Sequence, residues 1–128
     1  MRPTTDFSRR VFLVCLTAVL ALCAGCGGGG GGTPDLAPAN VTSRTLVVAD
    51  PNLPGVSTTF VFAATAYTSP GGDSGTYTYA KIPNTTTQAT LAVNSSFQPA
   101  RSYTLTFTSA GGGTYVDQLA HSSTFTIQ

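Results

Sequence analysis

Tryptophan and glutamate are both absent from this 128-residue chain, histidine and methionine occur once each, and charged residues make up 9% of it. Without glutamate, acid chemistry falls to aspartate. Asp35, Asp50, Asp73 and Asp117 are the ones beyond the N-terminal segment, and they lie far apart in sequence. Paired-carboxylate glycoside hydrolysis and an oxygen-lined calcium site both need acidic groups close together, so neither is supported. His121 and Asp117, four residues apart, fall short of a tetrahedral zinc site. His121 is therefore expected in a loop or at a sheet edge. Serines are plentiful, but no Gly-x-Ser-x-Gly elbow presents one as a nucleophile. Arg44, Lys81 and Arg101 nearly balance the four aspartates without forming a basic stripe, which argues against a nucleic-acid partner. All three cysteines, Cys15, Cys23 and Cys26, precede residue 27. The rest of the chain thus has no disulfide framework, cysteine metal cluster or thiol catalyst. The reading is of a non-enzyme with no catalytic, cofactor or metal residues.

A long membrane-spanning run is also missing. The uncharged apolar stretch 11–24 is shorter than the ~17–25 residues that cross a bilayer as a helix. It follows Arg2, Arg9 and Arg10 and precedes the small residues Ala24 and Gly25. A positive start, an apolar middle and a small-residue end describe a cleavable export signal, residues 1–25, with an N-terminal signal helix. Within it, Ser8-Arg9-Arg10-Val11-Phe12-Leu13 resembles the twin-arginine motif of bacterial export, carried here by Arg9, Arg10, Phe12 and Leu13. An ordinary secretory signal is the other reading.

The segment Leu22-Cys23-Ala24-Gly25-Cys26 resembles the lipobox of bacterial lipoproteins, with Cys23 where leucine is usual. The resemblance implies diacylglycerol on the Cys26 sulfur, cleavage before it and acylation of the new amine, commonly by palmitate. It also implies handling by the export and lipoprotein-processing machinery. Two or more acyl chains give stable anchoring where one is marginal. Gly27 is not the aspartate that serves the family as a retention signal. The analogy therefore places the protein in the bacterial envelope, in the outer membrane where there is one.

Six glycines, 27–32, then a Thr-Pro-Asp-Leu-Ala-Pro stretch, read as a linker over 26–42 with a coil reach of roughly 20–24 Å. A phosphate-binding glycine loop is rejected, because no Gly-Lys-Ser/Thr follows.

Residues 43–128 read as one domain. Leu46 and Val48 share a parity, as do Phe60 and Phe62; Tyr77 and Tyr79; Ala89, Leu91 and Val93; Tyr103, Leu105 and Phe107; and Phe125 and Ile127. Thr, Ser or Ala mostly fill the positions between. This period of two predicts about seven strands, over 43–49, 57–67, 75–81, 87–94, 102–109, 113–119 and 122–127. Short connections make them antiparallel. The fold class is all-β, a small antiparallel sandwich or partly open barrel. Glycines 111–113 are expected to supply positive φ to a hairpin. Gly75-Thr76-Tyr77 and Gly113-Thr114-Tyr115 echo one another, each launching a strand after a glycine turn. The tyrosines are expected to fill the core with their hydroxyls at the rim.

The order Ser-Gly-Thr-Tyr-Thr-Tyr-Ala-Lys (74–81), Ala-Thr-Leu (89–91), Tyr-Thr-Leu-Thr-Phe-Thr-Ser (103–109), Gly-Thr-Tyr (113–115) and Phe-Thr-Ile (125–127) resembles a β-meander module of secreted and surface bacterial proteins. It is also similar to lipocalin-like barrels of the MoaF type. No functional residues carry over. The first expectation is an envelope lipoprotein with a non-catalytic β domain in adhesion, structure or protein contact. The second is a calycin-like binder of a small apolar ligand, which needs an internal pocket.

Overall fold

The computed structural model describes residues 32–128. Cys26, Arg9, Arg10, Phe12, Leu13 and the signal segment lie outside the described residues.

The domain is all-β. Eight strands run in order: β1 (Thr45–Ala49), β2 (Ser57–Phe62), β3 (Ala66–Thr68), β4 (Ser74–Lys81), β5 (Gln88–Ser95), β6 (Arg101–Ser109), β7 (Gly112–Asp117) and β8 (Ser122–Ile127). Each pairs antiparallel with the next, and β8 returns to β1 through Leu46↔Ile127 and Val48↔Phe125, closing a barrel. Closure decides between sandwich and barrel, and it removes the open edges of a flat sheet. The eighth strand comes from the 57–67 run. That run folds back at 63–65, where the Ala63 amide donates to the Ala66 carbonyl at 2.7 Å.

Alternation puts one face of every strand inward. Leu46, Phe60, Leu91, Leu105 and Phe107 are essentially sealed from solvent. Aromatic rings fill the interior: Phe60 meets Tyr67 edge-on with centroids 5.3 Å apart, Tyr103 meets Tyr115 at 5.4 Å, and Phe107 meets Phe125 at 5.0 Å. Edge-to-face pairs of this kind contribute beyond their buried area. The tyrosines fill the core as expected. Tyr67, Tyr103 and Tyr115 are buried, Tyr77 and Tyr79 half-buried.

Gly75 and Gly113 lie within strands. A Cβ on Gly75 would overlap the Asn94 carbonyl oxygen, and one on Gly113 the Thr106 carbonyl oxygen. Both are places where a neighbouring backbone comes too close for any side chain. That gives the Gly-Thr-Tyr echo a physical basis. The expected positive φ is not at 111–113. It occurs at Gly55 (83°) and Gly72 (88°), in the loops after β1 and β3.

An up-and-down barrel has two ends. The segment before β1 and the β2–β3, β4–β5 and β6–β7 connections share one end. The β1–β2, β3–β4, β5–β6 and β7–β8 loops share the other. At the first end, residues 35–42, placed with the linker on composition, pack onto the barrel. Ala37 and Val41 are buried, and the Leu36 and Ala37 amides both donate to the Thr86 carbonyl, at 2.8 and 3.0 Å. The Tyr79 hydroxyl donates to the Pro38 carbonyl at 2.9 Å, and Lys81 Nζ pairs with the Asp35 carboxylate, 2.6 Å to Oδ2. Burial pushes the Tyr79 phenol up to about 12.

Candidate functional site

The opposite end is a rim of four loops, and three of them are built alike. A side-chain oxygen at or just beyond a strand end accepts backbone N–H groups of the loop that follows, the local turn chemistry of Asp and Ser. Asp50 Oδ1 accepts from Asn52 and Leu53 at 2.8 and 3.0 Å. Ser95 Oγ accepts from Phe97 and Gln98, both at 2.9 Å. Asp117 Oδ1 accepts from Leu119 and His121 at 2.8 and 2.9 Å. Each anchored loop projects large apolar side chains into solvent: Leu53 is 56% exposed, with Val56 beside it at 48%, Phe97 78% and Leu119 69%.

The β3–β4 loop is tied in by Asp73. Its carboxylate accepts from the Tyr67 hydroxyl at 3.0 Å and from the Ser95 hydroxyl, so Ser95 links two loops. The Ser95 hydrogen bond holds the Asp73 carboxyl below the usual carboxylate range, against the opposing effect of burial. Burial raises the Tyr67 phenol, and its bond to Asp73 adds to the rise.

Two depressions of about 290 Å³ each open on this rim, and Thr58 and Arg101 border both. One lies among Asp50, Tyr115, Asp117 and His121. The other runs along 57–59 and faces Ser69, Pro70 and Gly71. The Arg101 guanidinium donates to the neutral Gln98 amide oxygen. Among the described residues Lys81 forms an ion pair with Asp35 and His121 lies against Asp117, and neither contact involves Arg101.

His121 is in the β7–β8 turn, as expected from sequence. Its Nδ1 is 3.1 Å from Asp117 Oδ2, on the same carboxylate that orders the turn. Burial acts to raise the Asp117 carboxyl, but hydrogen bonds from the His121 and Leu119 amides and the His121 ring outweigh it, and the net direction is down. The His–Asp pair thus serves as turn scaffold. Among the described residues, no three His, Cys, Asp or Glu side chains are placed to hold a metal ion.

Sequence reasoning did not find the rim. Its anchors, Asp50, Ser95 and Asp117, stand where alternation gives way to breakers, and that was the available signal. The export and lipidation residues picked from sequence all lie outside the described residues. No protein-family model, curated protein or solved structure matches this chain.

Proposed function

We propose that this protein is an envelope lipoprotein, anchored through acylated Cys26, whose barrel is a non-catalytic module for contact with other proteins. The observation that supports this most is the separation of the two ends. Residue 33 leads into the domain at the end closed by 35–42, so a lipid attached upstream tethers the barrel from that end. The rim, with Leu53, Phe97 and Leu119 exposed, is the end without the tether. The export signal carried by Arg9, Arg10, Phe12 and Leu13, and the lipobox ending at Cys26, support the anchor. Gly27 in place of the retention aspartate supports the outer membrane as destination.

The barrel interior favours this reading over a pocket for a small apolar ligand. Phe60, Tyr67, Tyr103 and Phe107 occupy the volume that such a ligand needs. The rim depressions have mixed linings, with Asp50, Asp117 and His121 beside Val48 and Leu119 in one and Asp73 and Arg101 in the other.

The test is a Cys26→Ala variant expressed with a fatty-acid analogue. The reading expects labelling to vanish and the protein to leave the membrane fraction. Unchanged labelling contradicts it. Export separates the two signal readings. Arg9→Lys with Arg10→Lys is expected to block a twin-arginine route, and normal export of that variant assigns the secretory route.

A further inference from the structure

Barrel closure should leave no strand edge, yet β2 keeps one at the rim. The Phe62 amide donates to the Arg44 carbonyl at 3.0 Å, and the Phe62 carbonyl accepts from the Ser43 amide at 2.9 Å, so Phe62 directs both groups toward β1. Successive residues of a strand direct them to opposite sides. Val61, Thr59 and Ser57 therefore direct theirs toward β3. Val61 finds Thr68, and there the β2–β3 pairing ends. Continuing that register sets Pro70 opposite Thr59. Proline has no N–H to give and terminates a ladder. The chain then turns away at Gly72, φ 88°. Among the backbone hydrogen bonds of the described residues, Ser57 and Thr59 find no partner on this side.

The space left is the depression of about 290 Å³ bordered by Ser57, Thr59, Ser69, Pro70, Asp73 and Arg101. It is bordered by one charge of each sign, and the two are not paired. The Asp73 carboxylate accepts from the Tyr67 and Ser95 hydroxyls. Arg101 spends its guanidinium on a neutral amide and has no carboxylate within ion-pair distance among the described residues. A second depression, about 300 Å³, adjoins it at Gly71, Gly72, Phe97 and Gln98, with the exposed Phe97 ring as its apolar wall.

We propose that this slot binds the carboxyl-terminal end of an extended partner polypeptide, which adds as a short strand to Ser57 and Thr59 and places its terminal carboxylate on Arg101. Unpaired backbone N–H and C=O groups recognise an extended chain and nothing more specific. A guanidinium with no carboxylate in ion-pair contact can bind one through paired N–H donors. Phe97 favours an apolar side chain near that end. The proposal deepens the protein-contact reading and rests on it, but it does not depend on lipid at Cys26.

The experiment uses the full chain in mild detergent and an array of short peptides attached by their N-termini. Each sequence, with an apolar last residue, is present as free carboxylate and as carboxamide. Binding of the carboxylate form is expected to exceed that of the amide by about ten-fold or more, the worth of a charge-assisted pair. Arg101→Gln, with its melting temperature checked, should remove that preference. N-methylation of the peptide backbone at the penultimate residue should weaken binding without altering the protein. Equal binding of the two forms, or a preference that survives Arg101→Gln, overturns the proposal. So does failure of every peptide to bind. If Cys26 acylation persists in that case, the anchor stands and only the slot fails.

Discussion

The two ends of the barrel differ in what they ask of the sequence. At the end where the chain comes in, apolar side chains are covered: Ala37 and Val41 are buried, and Phe62 packs against Tyr77, the rings tilted at 50° with centroids 4.5 Å apart. At the rim, polar side chains do the ordering. Asp50, Ser95 and Asp117 hold their turns by hydrogen bonds while Leu53, Phe97 and Leu119 stay exposed. Covered apolar surface gives stability. Turns held by local hydrogen bonds can carry exposed apolar residues without the core depending on them. Covered and exposed apolar residues are thereby placed at opposite ends.

Substitutions should separate the two ends clearly. The largest effect is expected from Phe62→Ala at the covered end, about 3–5 kcal/mol of unfolding free energy lost, read from denaturant midpoints. A loss comparable to that of a surface substitution would mean this end is not packed as described. Next is Gly113→Ala in β7, where the new methyl overlaps the Thr106 carbonyl. A loss of about 1–3 kcal/mol is expected, and a neutral result would break the close-approach account.

The Asp73 network sharpens the comparison through pH. Its carboxyl is depressed in the folded state, so its contribution is present above the unfolded carboxylate value of about 3.9 and is lost as pH falls through the lower folded value. Asp73→Asn should therefore melt below wild type at neutral pH, and the gap should close in acid. Asp117, also depressed, weakens both proteins in acid and leaves the difference intact. A gap that widens on acidification contradicts the network. The smallest effect is expected at the tips. Leu53→Ser, Phe97→Ser and Leu119→Ser should each stay within about 0.5 kcal/mol of wild type, and a large loss would show that the rim carries the core after all.

Strand positions were legible because burial on one face imposes a period of two, and the parities of Leu46 and Val48 or of Tyr103, Leu105 and Phe107 record it directly. Closure was not legible. It depends on Leu46 meeting Ile127 across the length of the domain, and no local pattern encodes that contact. The 63–65 reversal has no glycine or proline to mark it. Its trace is a change of parity, from Phe60 and Phe62 on even positions to Tyr67 on an odd one, all three buried. Residues 35–42 looked like linker because two prolines and an aspartate flank or punctuate them, while Ala37, Val41 and the half-buried Leu36 carry the packing. At the rim, Arg101 carries no sequence mark at all. Its significance arises from Pro70 stopping a ladder more than thirty positions earlier.

Native-state hydrogen exchange tests the two-ended account most directly. The Leu36 and Ala37 amides, both bonded to the Thr86 carbonyl, should exchange as slowly as the barrel strands, while the loops at 50–56, 96–100 and 118–121 exchange first. Rapid exchange of Leu36 and Ala37, with the barrel strands still protected, would contradict the claim that this end is closed.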